Sequence, residues 1–186
     1  MRSGLSTSTL PTEVEDLVRS AVRKVRAEGG RVIGLIGFSQ GTKVVAGLLK
    51  GVEIRRALAK ESGGVVGEDW CDFQLGISVC TTYPPPLCPP SVSAMLEASA
   101  LSDEEQKELL QAKIQIPTFN ILGRLDEWNW AGKGMIEKHY ETEKGRGQVV
   151  EFEMGHHYPV APEESERIRD WMLGVLGIEK EEAGAW

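Results

Sequence analysis

The sequence predicts an α/β fold, in which a mainly parallel β-sheet carries helices on both faces. Four short apolar segments alternate with amphipathic segments long enough to form helices, and such alternation is typical of parallel sheets. The first apolar segment, residues 32–37, contains no charged residue, as expected of a central strand covered on both faces. A length of 186 residues suits one domain spanning residues 1–186.

Each element is predicted from its hydrophobic period and from the residues that bound it. Capping boxes are predicted at Thr12 with Glu15 and at Ser102 with Glu105, each opening a helix. In order, the predicted elements are a helix from Thr12 that stops before Gly29-Gly30, a strand at 32–37, a helix to about Lys50, a short further helix at 52–60, a strand at 73–80, a helix opened by Ser102, a strand at 116–123, a helix at about 130–141, a strand at 148–154 and a last helix from Pro162. Residues 1–11, 61–69, 81–90 and 179–186 are predicted to be irregular.

The composition argues against several classes of partner. The net charge is −7, with no basic block, so neither nucleic acid nor an anionic membrane surface is an expected partner. No apolar run approaches the roughly 20 residues that a membrane span needs, and residues 1–10 lack the apolar core of a signal peptide. The three cysteines are an odd number without C-x-x-C spacing. Reduced thiols in a cytoplasmic protein are therefore expected, with no metal site and no cofactor.

A Gly-x-Ser-x-Gly motif occupies residues 37–41, directly after the first predicted strand. In a strand–turn–helix of this kind, the serine takes a strained backbone conformation that lifts its hydroxyl above the sheet. Ser39 is therefore the predicted nucleophile. Gly37 and Gly41 are predicted to be required because a side chain at either position would collide with the neighbouring strand or helix.

A serine nucleophile needs a base to accept its proton and an acid to orient that base. Asp126 follows the third predicted strand, and His156 follows the fourth. Because the carboxyl ends of parallel strands meet at one edge of the sheet, both side chains can converge on Ser39. The sequence therefore predicts Ser39, Asp126 and His156 as catalytic residues.

Neighbouring residues offer alternatives to this acid and this base. Glu127 is next to Asp126, but Asp126 occupies the end of a Gly-x-x-Asp turn, where its side chain would be aimed into the site. His157 is the alternative base, or else a residue of the substrate pocket. His139 lies in a charged helical stretch and is predicted to be a surface residue.

Two further features are predicted around the nucleophile. The backbone N–H of Gln40, at the start of the following helix, is predicted to donate to the oxyanion. Only one helix is predicted before the elbow, so the source of a second oxyanion donor is open. The candidate pocket residues are Phe38, Tyr83, Trp128 and His157, and plain core packing is the alternative for the aromatic side chains.

The chain resembles the fungal serine hydrolase family, a group of α/β-hydrolases that includes thioesterase-like enzymes releasing polyketides from their synthases. The resemblance extends over most of the chain, from about Thr12 to Leu176, and rests on Gly37-Phe38-Ser39-Gln40-Gly41, Gly123-Arg124-Leu125-Asp126 and Gly155-His156-His157-Tyr158-Pro159. It implies an α/β-hydrolase-like fold. It also implies the roles of nucleophile, acid and base for Ser39, Asp126 and His156, and of oxyanion donor for the Gln40 backbone.

The chain departs from this family at its front and is expected to be N-terminally shortened. Members usually begin with a strand ending in a His-Gly motif, whose loop supplies the second oxyanion donor. This sequence has no His-Gly pair and no predicted strand before Val32. Three explanations are open: a truncated product, a short member whose sheet is completed by a second subunit, and a triad-like site used for different chemistry.

The leading functional hypothesis is a serine esterase or thioesterase. Its substrate would be a small-molecule acyl ester or thioester, free or bound to a carrier protein, and the resemblance implies polyketide release in secondary metabolism. Two alternatives stay open: a non-hydrolytic cyclase or isomerase on the same scaffold, and an inactive module left by truncation. A homodimer that completes the sheet edge is a further expectation.

Overall fold

The computed structural model describes residues 9–62, 70–143 and 145–179. Along these residues the elements are α1 (Thr12–Ala27), β1 (Gly34–Phe38), α2 (Gly41–Ser62), β2 (Leu75–Val79), α3 (Pro90–Ala98), α4 (Asp103–Gln111), β3 (Thr118–Gly123), α5 (Asn129–His139), β4 (Gly147–Phe152) and α6 (Pro162–Leu176). The strands form one sheet in the order β1-β2-β3-β4, and each neighbouring pair is parallel. The predicted α/β fold with a parallel sheet is confirmed.

The register of the strands brings four loops to one edge of the sheet. Phe38 pairs with Val79, Val79 with Ile121, and Gly123 with Phe152. The segments that follow the four strands therefore begin beside one another, although they are far apart in sequence. In open α/β sheets this carboxyl edge is where ligands bind.

Apolar clusters lie on both faces of the sheet. One cluster joins α1, α2 and α5 to the sheet, and Leu49, Phe73 and Tyr140 are among its fully buried members. The other lies beneath α6, where the Trp171 ring is 5.2 Å from the ring of Phe119. The prediction of helices on both faces is thus confirmed.

The expectation that both faces of the first strand are covered is wrong. Within the described residues β1 pairs only with β2, and the Ile36 side chain is 59% exposed. An uninterrupted apolar run is compatible with a central strand and equally with an edge strand whose second face lacks a covering helix. Strand order depends on contacts distant in sequence, so the local pattern could not separate these two cases.

The predicted break after Lys50 is also wrong, because α2 is a single helix of 22 residues. The predicted break falls at Gly51, and glycine in a helix interior costs about 1 kcal/mol relative to alanine. In the structure a Cβ on Gly51 would lie 2.8 Å from Val92 Cγ2. The small residue therefore permits close packing of α3 against α2, and α3 itself was not predicted.

The two predicted capping boxes have different outcomes. Ser102 Oγ accepts a hydrogen bond from the Glu105 N–H, and the Glu105 carboxylate accepts one from the Ser102 N–H, which confirms the second box. At α1, Pro11 is the N-cap residue and makes no side-chain cap, so the box at Thr12 is wrong. Glu15 is buried instead, where it accepts hydrogen bonds from the N–H and the hydroxyl of Ser91.

Parts of the predicted irregular segments, residues 1–8, 63–69 and 180–186, lie outside the described residues. Cys71, Cys80 and Cys88 all lie within the described residues, and none of them forms a disulfide bond. Among the helices that the structure describes, none has the length and apolar character needed to cross a membrane.

Candidate active site

Ser39 lies on a tight turn between β1 and α2. Its φ of 51° is in the left-handed region that non-glycine residues rarely adopt. The Ser39 N–H donates to the Val79 carbonyl (3.0 Å), and the Ser39 carbonyl accepts from the N–H and the hydroxyl of Thr42 (3.0 and 2.6 Å). These bonds hold the strained serine at the carboxyl edge of the sheet.

The two glycines of the motif differ in their surroundings. A Cβ on Gly37 would lie 2.6 Å from the Gly41 carbonyl oxygen and 2.8 Å from Val45 Cγ2, so a side chain is excluded there. A Cβ on Gly41 would meet no atom within 4 Å. The predicted collision is therefore found at Gly37 and is wrong for Gly41.

Asp126 and His156 come together across the carboxyl edge. His156 Nδ1 lies 2.8 Å from Asp126 Oδ2, and the other carboxylate oxygen accepts a hydrogen bond from the Trp128 N–H at 2.9 Å. The Asp126 side chain is 2% exposed, whereas that of His156 is 35% exposed. The carboxylate is thus held from both sides, while the imidazole reaches the surface where a substrate could approach.

The environment of Asp126 favours its charged form. Burial opposes ionisation, but the Trp128 N–H and the His156 ring stabilise the carboxylate, and the pKa of Asp126 is lowered.

Gly123 positions the loop that carries Asp126, because it allows this loop to pass close to the segment after β4. A Cβ on Gly123 would lie 2.5 Å from the Met154 carbonyl oxygen, so this glycine lets the segments after β3 and β4 pass in contact.

The histidines and the glutamate that compete with His156 and Asp126 for the roles of base and acid differ from them in burial and in contacts. His157 is exposed, and its Nδ1 lies 2.8 Å from the Tyr158 carbonyl oxygen. Glu127 is exposed beside the buried Asp126. His139, predicted to be on the surface, is half-buried at the end of α5, and burial is the main cause that lowers its pKa.

Cys80 is a member of the site that sequence reasoning missed. Cys80 occupies the same place after β2 that Ser39 occupies after β1, because Val79 and Phe38, which precede them, are register partners. Its φ of 48° is also in the left-handed region. Its Sγ donates to the carbonyls of Gly155 and His157 (3.6 and 3.5 Å). This cysteine therefore supports the loop that carries His156, and its place directly after a strand was the available signal.

The Cys80 thiol stays protonated over a wide pH range. Burial, reinforced by the Asp126 charge, raises the pKa of Cys80 to about 11. The candidate ligand atoms of Cys80, Asp126 and His156 lie within 4.8 Å of one another. A structural zinc site normally has four ligands, and this group supplies three candidates.

Phe38, which directly precedes Ser39, connects the elbow to His156. The Phe38 ring lies 5.0 Å from the His156 ring and stacks on Tyr158 at 4.9 Å. Within the described residues no hydrogen bond joins Ser39 to His156, and catalytic hydrogen bonds are often long in the absence of substrate. The Gln40 N–H likewise has no acceptor in the described part of the chain, and α1 is the only element there before β1.

Three aromatic side chains form a second group at the same edge. The Tyr83 ring contacts the rings of Trp128 (5.9 Å) and Trp130 (5.7 Å), both edge-to-face. Tyr83 is 42% exposed, Trp128 40% and Trp130 62%, so these three residues form a surface cluster. The Thr82 N–H donates to Thr42 Oγ1 at 3.4 Å, which ties this cluster to the elbow.

A parallel sheet that carries a serine on a left-handed elbow and a buried aspartate paired with a histidine, each after a strand, defines the α/β-hydrolase class. Comparison with family models narrows this class. The serine hydrolase (FSH1) family matches residues 10–168, and the chain belongs to that family.

Three fungal proteins are similar to this chain in sequence. A probable esterase, TOX9, of Cochliobolus heterostrophus is 28% identical over 170 residues, covering 82% of this chain and 59% of the relative. Esterase citA of Monascus ruber is 27% identical, covering 79% and 56%, and esterase FUS5 of Gibberella fujikuroi is 24% identical, covering 88% and 56%. The chain therefore spans little more than half the length of these relatives.

Two solved structures are similar in fold. Acyl-protein thioesterase 2 of Zea mays matches with a TM-score of 0.49 and 15% identity, over 94% of this chain and 70% of that protein. Monoacylglycerol lipase of Paleococcus ferrophilus matches with a TM-score of 0.47 and 13% identity, over 92% and 78%.

Proposed function

We propose that this chain is a serine hydrolase of the esterase or thioesterase type, acting on an acyl ester or thioester. The observation that carries the proposal is the 2.8 Å contact between His156 Nδ1 and Asp126 Oδ2, beside a serine on a left-handed turn. Family membership and the esterase names of three relatives support the same reaction class. Ser39 is the proposed nucleophile, His156 the base and Asp126 the acid.

In the proposed reaction, Ser39 Oγ attacks the carbonyl carbon while His156 Nε2 accepts the hydroxyl proton. The Nδ1–H bond to Asp126 selects the tautomer that leaves Nε2 free and stabilises the imidazolium that forms. The carbonyl–oxygen or carbonyl–sulfur bond then breaks, and His156 returns the proton to the leaving alcohol or thiol. A water molecule repeats the sequence on the acyl-enzyme, which releases a carboxylic acid and restores Ser39.

The backbone around Ser39 supports this role electrostatically. The Gln40 N–H, adjoining the first residue of α2, is the proposed oxyanion donor. Its lack of an acceptor in the described part of the chain leaves it available, and the positive end of the helix dipole favours negative charge there. Removing one such donor typically costs about 10²–10³ in rate.

The half-buried Phe38 and the exposed Tyr83 and Trp128 are the proposed contact surface for the acyl chain. Phe38 lies on the His156 side, while Tyr83 and Trp128 lie on the Asp126 side. An exposed aromatic cluster at this edge of the sheet would gain free energy by covering apolar substrate surface. An apolar acyl group is therefore the proposed substrate portion, and His157 is a proposed polar residue at its rim.

Labelling with a fluorophosphonate probe tests the nucleophile. We expect the probe to label the wild type and the Ser102→Ala control at one site, and to leave Ser39→Ala unlabelled. Ester hydrolysis by Ser39→Ala should fall by about 10³-fold or more. Unchanged product formation by folded Ser39→Ala would contradict the proposal and favour non-hydrolytic acid–base chemistry. An unlabelled, folded wild type would instead indicate an inactive module.

A further inference from the structure

A cavity of about 430 Å³ lies apart from the candidate active site. Its volume is within the range of about 300–1,000 Å³ that is usual for small-molecule sites. It is enclosed by α2, the proline-rich segment after β2, the start of α3, and α4, with His139 of α5 at one side. None of Ser39, Asp126 and His156 lines it.

The position along α2 separates this cavity from the elbow. The α2 residues that line it run from Gly47 to Ile54, about 9–20 Å beyond the first residue of the helix at a rise of roughly 1.5 Å per residue. His139 is the last residue of α5, and α5 begins close to the carboxyl edge of the sheet. Both observations place the α2 and α5 parts of the wall away from the carboxyl edge, and none of the proposed acyl-surface residues Phe38, Tyr83, Trp128 and His157 lines the cavity.

Most of the cavity wall is apolar. Ile54, Val92 and Leu110 contribute aliphatic side chains from three different helices, and the proline-rich segment contributes Pro85, Pro86 and Pro89. Such a wall favours a ligand whose main body is a hydrocarbon, since burial contributes about 25 cal/mol per Å² of apolar surface.

Lys50 is the one lysine in this wall that is buried. It is 8% exposed, and among the described residues its one carboxylate partner is Glu53, whose oxygen lies 3.5 Å from the ammonium. The other Glu53 oxygen already accepts hydrogen bonds from the N–H groups of Gln115 and Ile116. An ammonium has three donors, so Lys50 retains hydrogen-bonding capacity beside an apolar cavity, where leaving it unused is costly.

Within the described part of the chain, three charged side chains line the cavity: the lysines Lys50 and Lys107 and the carboxylate Asp103. His139 adds an imidazole whose pKa is lowered, mainly by burial and further by the charges of Lys138 and Lys50, so its uncharged form is favoured. Lys107 is engaged by Glu104 at 3.1 Å at the exposed rim, which leaves Lys50 as the better-placed cation for a buried anionic group.

We propose that this cavity binds a small monocarboxylic acid with an apolar body, such as a medium-chain fatty acid. The carboxylate lies beside Lys50, and the hydrocarbon chain packs against Ile54, Val92 and Leu110. The assignment uses only the residues of the cavity and does not rest on the proposed esterase activity.

The test measures decanoate and 1-decanol binding to the full chain by titration calorimetry, with amide NMR shifts to locate the site. We expect decanoate to shift the Gly47 and Gly51 signals and to bind more tightly than decanol. Lys50→Met should weaken decanoate binding by at least about tenfold, because a hydrogen bond to a charged group is lost, and should leave decanol binding within about twofold. Lys107→Gln, the rim control, should change neither affinity by more than about twofold.

A second variant keeps the test decisive if Lys50→Met does not fold. Leu110→Trp adds volume at the cavity wall and should abolish the binding of both ligands. The proposal is overturned if decanoate shifts the Ser39–Gly41 signals instead, if Lys50→Met binds decanoate as the wild type does, or if folded Leu110→Trp retains wild-type affinity.

Discussion

Asp126 has both carboxylate oxygens engaged, one by the Trp128 N–H and one by His156. Asp126→Asn keeps the shape but presents an amide to Nδ1, which favours the wrong imidazole tautomer. We therefore expect kcat/KM for a p-nitrophenyl ester to fall by roughly 10³–10⁴-fold. Glu127→Gln changes the exposed neighbour and should retain activity within about twofold. A variant Asp126→Asn with more than a tenth of wild-type activity would show that this carboxylate does not orient the base.

Cys80 gives a prediction about stability in alkali. Its folded pKa is about 11, whereas an unfolded thiol titrates near 8.5. Between these values the unfolded chain has lost a proton that the folded chain keeps, so the free energy of unfolding falls as pH rises. Urea denaturation at pH 8 and pH 10 should show a larger decrease for the wild type than for Cys80→Ala. Equal decreases would mean that Cys80 titrates alike in both states.

Chain order and strand position were enough to nominate Asp126 and His156, because residues directly after parallel strands share one edge. The contact between these two side chains is present in the structure, and their catalytic roles stay a prediction. Cys80 was missed because a lone cysteine after a strand has no motif around it. Its importance comes from the carbonyls of Gly155 and His157, which are distant in sequence.

At Gly47, helix α2 packs closely against the loop that contains Leu87. A Cβ on Gly47 would lie 1.7 Å from the Leu87 carbonyl oxygen, and the Leu87 N–H also donates to the Lys43 carbonyl at 3.0 Å. Gly47→Ala must therefore displace the loop backbone, and we expect it to lower the free energy of unfolding by about 1–3 kcal/mol.

Gly134 in α5 is the matched control, since a Cβ there would meet no atom within 4 Å. Gly134→Ala should be neutral or stabilising by up to about 1 kcal/mol, because alanine favours the helix. Urea denaturation of both variants measures the difference. Equal effects at the two positions would show that the contact with Leu87 is not maintained in solution.

The elements with a strong local pattern were the ones that could be predicted. The strands predicted at 73–80, 116–123 and 148–154 overlap β2, β3 and β4 closely. Helix α3 was missed because its first residues follow a proline-rich run that reads as irregular. Its helical state depends on burying Val92 and Leu96 against Ile54 and Leu58 of α2, a contact between segments far apart in the sequence.

At the scale of the whole molecule, the alternation of strands and helices was enough to predict a parallel sheet. It was not enough to predict that β1 lies at the edge of that sheet. The same run of apolar residues would suit β1 in the middle of a larger sheet. In the described residues β1 has a single neighbouring strand. The Leu35 face of β1 packs against the cluster that includes α1 and α2, while Ile36 on the opposite face is largely exposed.

The exposed edge of the sheet at β1 is the reason for predicting self-association. We propose that a second copy of the chain covers β1, because an edge strand offers unpaired backbone N–H and C=O groups and Ile36 adds an apolar side chain that is 59% exposed. Sedimentation velocity should detect a dimer in the wild type. Ile36→Lys should shift it to monomer, since a charged side chain beside the edge opposes pairing.

Leu17→Lys is the control for this prediction. Leu17 on α1 is 70% exposed, more than Ile36, but lies on a helix rather than on the sheet edge. If general surface hydrophobicity drives association, both variants should weaken the dimer alike. If pairing occurs along β1, Leu17→Lys should sediment as the wild type does while Ile36→Lys becomes monomeric. A wild type that is monomeric at every concentration tested would contradict the proposed dimer.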